Sequence, residues 1–317
     1  MFPGALRFFY EVSQMGSIRK ASESMGVAPS SVSRQIAVLE RQLGTHLFDR
    51  SAGGVALTHA GEMVAGYART VLLDYDALRA DLDDLRGVRR ALVRVAIVES
   101  MVSGAPLAAM SSIRSRFEDV SFKLRMLPAP QVTEAVKSGA VDLGITFSLP
   151  PDPDISVLLQ LPEPVVVALP ASHELAQKER ISLSELRNVP MALPDVDFGI
   201  RKVFDRATRA QGFEVVPVLS SSSFEAMRDF VRQGLGGALL TRRSTIRDER
   251  LGALKTVTIE ESALGSATVE LIALKNRRMP RVMKLFVQEL MKSLQDAAEQ
   301  LEPTAGHQES AVARVLS

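Results

Sequence analysis

Seven apolar residues, Val64, Ala68, Val71, Tyr75, Leu78, Leu82 and Leu85, follow one another at alternating spacings of four and three, with no proline from Thr58 to Gly87. That 3.5-residue period predicts one long helix carrying a continuous apolar seam, and it divides the chain into a short head before the helix and a long body after it. Thr58 is placed to cap this helix, and Glu62 in its first turn suits the positive end of the dipole. Two chains meeting along the seam is one reading; a single amphipathic helix packed on its own domain is the other, because three heptads are near the minimum for a coiled coil. Charge separates the parts. Residues 1–57 hold six Lys/Arg against four acids, whereas 58–87 hold three Arg against six acids. The basic surplus of the head is too small to establish nucleic-acid binding, so any such role must rest on geometry.

In the head, Leu6, Phe8, Phe9 and Val12 sit at helical spacing after Pro3, a residue suited to a first turn. Ser17 offers an N-cap to a short helix with Ile18, Ala21 and Met25 on one face, which Gly26 breaks. A third helix from Pro29-Ser30 turns Val32, Ile36, Leu39 and Leu43 inward and stops at Gly44. Its other face begins with Ser30 and Arg34, flanked by Ser31, Ser33 and Gln35. Small hydroxyls let a helix N-terminus press into a major groove, where N–H groups and hydroxyls meet phosphates and Arg or Gln donates to base edges. A merely solvated polar face is the competing reading. Leu47-Phe48-Asp49-Arg50 and Val55-Ala56-Leu57, joined by Ser51-Ala52-Gly53-Gly54, predict a hairpin standing beside the third helix as a wing, with Arg50 at its base within reach of backbone phosphate.

Gly16-Ser17-Ile18-Arg19-Lys20-Ala21, Val32-Ser33-Arg34-Gln35-Ile36, Leu39-Glu40, Leu43-Gly44, Leu47-Phe48-Asp49-Arg50 and Leu57-Thr58-His59-Ala60-Gly61-Glu62 together closely resemble the DNA-binding domain of LysR-type transcriptional regulators. Ser22, Met25 and Pro29-Ser30 depart from the family's usual Ala, Leu and Gln-Pro. The resemblance implies a winged helix-turn-helix contacting DNA through Ser17, Arg19, Pro29, Ser30, Ser31, Ser33, Arg34, Gln35 and Arg50. It also implies that the linker helix makes a homodimer, which assembles further to a homotetramer.

Beyond residue 90 the pattern becomes strand–helix alternation, an α/β arrangement. Strands are expected at 92–98, 121–126 and 143–147, with helices at 105–118 and 131–138 between them. Leu161-Pro162-Glu163-Pro164 marks a crossover. A second set follows: strands at 189–193, 215–219 and 237–240, helices at 198–211 and 223–233, then strands at 254–259 and 269–276 and a helix at 280–300. Three stretches, Val136 to Ile145, Pro170 to Ala176 and Val231 to Ala238, are similar to the effector-binding domain of the same family, whose fold is like that of periplasmic solute-binding proteins. The expected organisation is a winged head at 1–57, a linker helix at 58–87 with a hinge at Arg86 to Arg90, and an effector-binding body at 88–300. The body's first lobe takes about 91–162 and 266–300 and its second about 163–265; a disordered tail at 301–317 completes the chain.

In such sheets ligands sit outside the carboxyl ends of strands, where helix N-termini point inward. Four loops qualify, those at 100–103, 147–148, 195–198 and 220–223. Ser100, Ser103, Ser148, Ser222 and Ser223 supply small donors, Met101, Phe147 and Phe198 apolar walls, and Arg201 a fork for a carboxylate. A small organic anion is the favoured effector on that basis. An amine or amino acid is the alternative, because Glu99, Asp195 and Asp197 stand in the same loops. The serines are also ordinary helix caps, and Arg201 could pair with Asp197 or Asp205.

Catalysis finds no support. The absence of Cys removes thiolate chemistry, disulfides and Cys-based metal sites, and favours a reducing compartment. His46, His59, His173 and His307 are scattered singly, without ligand spacing. Ser17-x-x-Lys20 lacks the companion motifs of a Ser-x-x-Lys nucleophile, and Gly234-Leu235-Gly236-Gly237 lacks the third glycine of a dinucleotide fingerprint. No cofactor is expected. The longest clean apolar run, Val165 to Leu169, is far short of the ~20 residues of a membrane span, so a cytoplasmic protein without membrane contact is expected. The expected partners are double-stranded DNA carrying an interrupted inverted repeat and a small effector, with RNA polymerase left open as a further partner. A plain solute-binding protein would need only the body; the attached head argues against it.

Overall fold

The computed structural model describes residues 4–51, 54–85, 91–102 and 104–299. Pro3, the wing turn at 52–53, the hinge at 86–90, Ser103 and the tail at 301–317 lie outside the described residues, as do the side chains of Arg50 and Leu85. In the head, α1 (Gly4–Met15), α2 (Ile18–Met25) and α3 (Pro29–Leu43) close around Phe9, Val12, Ala21, Val32, Ile36 and Leu39. Leu43, expected to point inward with them, is exposed at the end of α3. β1 (Phe48–Ser51) and β2 (Gly54–Leu57) form the antiparallel wing. Val55 N–H anchors it by donating to the Gly16 carbonyl at 3.1 Å, in the turn between α1 and α2.

The long helix α4 (His59–Leu85) starts where the wing ends. Thr58 caps it, accepting from Gly61 N–H at 3.0 Å while its own hydroxyl donates to the His46 carbonyl at 2.8 Å. Gly61 is required at this junction, since a Cβ there would lie 2.1 Å from the Leu47 carbonyl oxygen. The seam positions do not share one fate. Ala68 is fully buried in the head core and Val64 packs at its edge, whereas Leu78 and Leu82 are 42% and 43% exposed. Ala68 is therefore a packing residue of its own head rather than part of a surface open to a second chain. Val71 and Tyr75 are half-buried.

The body opens with β3 (Ala91–Ile97), α5 (Ala105–Arg116), β4 (Val120–Met126), α6 (Ala129–Lys137), β5 (Leu143–Phe147) and β6 (Ile155–Pro162). The chain then crosses to β7 (Val165–Leu169), β8 (Arg180–Ile181), β9 (Met191–Pro194), α7 (Gly199–Ala210), β10 (Leu219–Ser221), α8 (Phe224–Arg232), β11 (Gly237–Thr241), α9 (Arg242–Arg250), β12 (Lys255–Ile259) and α10 (Ser262–Gly265). It returns as β13 (Thr268–Leu274) and ends in α11 (Arg281–Glu299). Two sheets result, a five-stranded one in the order β4-β3-β5-β13-β6 and a six-stranded one in the order β10-β9-β11-β7-β12-β8. Each has its own core. Strand β7 is buried along its whole length, as expected of a central strand covered on both faces. The strand expected at 215–219 forms only at Leu219–Ser221, because Val216 and Val218 face outward ahead of it.

The two crossovers between lobes run side by side, with Glu163 N–H donating to the Ala267 carbonyl at 2.9 Å. Glu163 is fully buried there. Its carboxylate accepts from the backbone N–H and Nε of Arg243 at 2.8 and 2.7 Å, at the start of α9. Burial pushes the Glu163 carboxyl up, and the Arg243 cation pulls it back.

Candidate functional site

Two surfaces stand out. The first is the outward face of α3, where Pro29, Ser30, Ser31 and Arg34 are exposed and Ser33 and Gln35 half-buried. The residue preceding this helix, Ala28, offers no side-chain cap, so its N-terminus is open to an acceptor from outside. Arg19, exposed on α2, is paired with Glu23 at 3.0 Å. Ser17 spends its hydroxyl oxygen on Lys20 N–H, capping α2. An open N-terminus flanked by hydroxyls and an exposed guanidinium is what phosphate contact combined with base-edge reading requires.

The second is a cavity of about 250 Å³ between the lobes. The first lobe contributes Val98, Glu99, Ser100, the turn from Met126 to Pro130, and Phe147; the second contributes Asp197 to Ile200, Ser222, Phe224 and Thr241. Its walls are mostly apolar. Glu99 and Asp197 are its only charged lining groups among the described residues. Glu99 also bridges the lobes, because its carboxylate accepts from Ser223 Oγ at 3.2 Å and from Glu225 N–H at 3.3 Å. The N-terminus of α8, where an effector carboxylate would be expected, thus already carries one supplied by the chain.

A sequence profile described as the LysR substrate binding domain matches residues 86–295. A second, described as the bacterial regulatory helix-turn-helix protein of the lysR family, matches residues 3–62. The chain belongs to the LysR family of transcriptional regulators. A probable RuBisCO transcriptional regulator from Cyanophora paradoxa is 24% identical over 292 residues, covering 90% of each chain. Among solved structures, a full-length OxyR variant from Pseudomonas aeruginosa aligns with a TM-score of 0.67 at 20% identity, over 94% of this chain and 97% of that one. Full-length CbnR in complex with its target DNA aligns with a TM-score of 0.53 at 18% identity, over 92% and 100% of the two chains. This LysR-family chain is a DNA-binding regulator rather than an enzyme.

Of the residues expected around the effector, the regulator's cavity gathers Ser100, Phe147, Asp197, Phe198 and Ser222. Arg201 is not among them. It is 8% exposed, its Nε bonds both carboxylate oxygens of Asp205 at 2.8 and 2.9 Å, and a terminal nitrogen donates to the Pro194 carbonyl. The expected fork therefore binds the α7 helix to β9 instead of a ligand. Met101 is buried in the first-lobe core. Ser148, exposed at φ 46, accepts from Thr268 N–H across the crossover. Ser223 caps α8 and donates to Glu99. Nothing in the apolar spacing marks these four as structural, since each sits in a loop or first turn where either duty fits. Sequence reasoning missed Tyr10 and Arg69, whose partners lie more than sixty residues away.

Proposed function

We propose that this LysR-family regulator works in the cytoplasm as a dimer, built into a tetramer, that reads an interrupted inverted repeat through α3 and answers to an amine-bearing effector in the inter-lobe cavity. RNA polymerase is the partner through which any activation is exerted. The observation that carries the effector class is the charge of the cavity: Glu99 and Asp197 line it, and Arg201, on which an anionic effector depended, is spent on Asp205. Beside mostly apolar walls two carboxylates favour a cation over a further anion, because little water remains to screen like charges. A carboxylate ligand would in addition have to displace Glu99 from the N-terminus of α8.

The open N-terminal face of α3 supports the DNA-reading half, with the symmetric pairing of two heads dictating two related half-sites. Thermal-shift screening of the full chain against matched panels of amines and carboxylates tests the effector class. An amine at ~100 times its dissociation constant stabilises the fold by ~2.7 kcal/mol. That shift should shrink in Glu99→Gln and Asp197→Asn. Stabilisation by carboxylates alone would show the charge of the ligand to be the reverse of that proposed.

A further inference from the structure

The helix α6 touches both the inter-lobe cavity and the DNA-binding head. Its first residues, Ala129 and Pro130, and the preceding Pro128 form part of the cavity wall. Its last carbonyls hold the head: the Tyr10 hydroxyl on α1 donates to the Ser138 carbonyl at 2.5 Å, and a terminal nitrogen of Arg69 on α4 donates to the Lys137 carbonyl. Gly139, left-handed at φ +72, then exposes its bare Cα to Leu73, one turn along α4 from Arg69. We infer that α6 is the docking element for the chain's own DNA-binding head and the relay by which occupancy of the inter-lobe cavity reaches it.

The physical case has three parts. A nine-residue α-helix at about 1.5 Å per residue is a strut of roughly 14 Å, stiff enough that a push at one end arrives at the other. Its C-terminal carbonyls carry the negative end of the dipole and lack partners within the helix, so a phenol and a guanidinium are the donors they favour. The docking is also incomplete. Arg69 Nε is buried without a partner, so the docked state carries a penalty that undocking relieves. Val132, Ala135 and Val136 seat the middle of α6 in the first-lobe core, so it moves with that lobe when the cleft opens or closes.

This inference rests on the cavity being the effector site, but its test needs no effector, because coupling between two sites is reciprocal. The chain contains no Trp. Gly199 lines the cavity, and a Cβ added there meets nothing within 4 Å, so Gly199→Trp introduces a single fluorophore at the cavity wall. The full-length variant is titrated with a duplex selected from random sequence by the wild-type protein, with anisotropy of labelled DNA reporting binding and Trp emission reporting the cavity. Saturating DNA should shift the emission, and adding Tyr10→Phe with Arg69→Met should remove most of that shift at saturating DNA, because the coupling between the sites is lost with the contact. A shift that survives the two substitutions, or no shift at all on DNA binding, would overturn the relay. Should the double substitution disturb folding by circular dichroism, Tyr10→Phe alone, which keeps the ring and removes the hydroxyl, is read by the same criterion. Failure of every amine to stabilise the wild-type chain would count against the effector class and leave this result standing.

Discussion

Two glycines of the same helix, five residues apart, should respond in opposite directions to the same methyl group. At Gly61 an added Cβ falls 2.1 Å from the Leu47 carbonyl oxygen and 3.0 Å from a Leu57 methyl. Ordinary contact needs more than an ångström of additional room. The Leu47 carbonyl cannot easily retreat, because it accepts from Thr58 N–H at 3.1 Å while Leu47 N–H donates to Glu40 at 2.8 Å. Forcing an overpacked contact costs ~1–3 kcal/mol, and losing the Thr58 bond adds ~1 kcal/mol, so Gly61→Ala should destabilise the head by roughly 2–4 kcal/mol. At Gly66 nothing lies within 4 Å of the new Cβ, and Ala in a helix interior gains up to ~1 kcal/mol over Gly. Chemical denaturation of the full chain, followed by DNA anisotropy, gives both signs. Gly61→Ala should also weaken binding to specific and random duplexes alike, since it displaces the wing rather than a base contact. Equal stability of Gly61→Ala and wild type would show that the helix–wing junction is not as tight as the structure has it.

Leu78 and Leu82, exposed on α4, should be the positions at which paired Glu substitutions break the linker-helix contact and lower the oligomeric state in sedimentation, whereas Ala68→Glu should unfold the head instead; an oligomer unchanged by the Leu78/Leu82 change would locate that interface elsewhere. Arg34→Ala should cost ~1–3 kcal/mol of DNA binding confined to one base position, and a uniform loss across a gel-shift series would reassign Arg34 to phosphate. The Tyr10 phenol should ionise above its ordinary value of 10.0, because burial raises it. Above that pH the unfolded chain releases the proton first, so stability should fall as pH rises, with a gentler slope in Tyr10→Phe; identical slopes would remove the phenol from its buried position.

The head was legible almost residue by residue because its signals are local: caps at Ser17 and Thr58, stops at Gly26 and Gly44, and apolar spacing from Val32 to Leu39. The alternating body was legible where strands are continuous apolar runs, as at Val165–Leu169. Helix α9 was not, since Arg242–Arg250 contains one large apolar residue, Ile246, and so shows no hydrophobic period; it is held by Glu163 and by Arg228, which bonds the Ser244 carbonyl and Asp248. Within the site, loop position was readable and side-chain allegiance was not. Arg201 could face the cleft or turn back to Asp205 one helical turn on, and the choice depends on a Pro194 carbonyl that only the fold brings near.

The antiparallel pairing of β6 with β13 places Pro162 opposite Thr268 at the point where the chain leaves the first lobe and where it returns. Topologically, the entire second lobe is a parcel inserted at the tip of a β-hairpin. Removing it and closing the tip with a turn of about two to five residues restores an ordinary hairpin, with the first-lobe sheet and α11 otherwise uninterrupted. The second lobe is therefore an exchangeable cassette. A lobe from another protein of this architecture, grafted between Pro162 and Thr268, would bring its own half of the cavity while leaving α6 and the head in place.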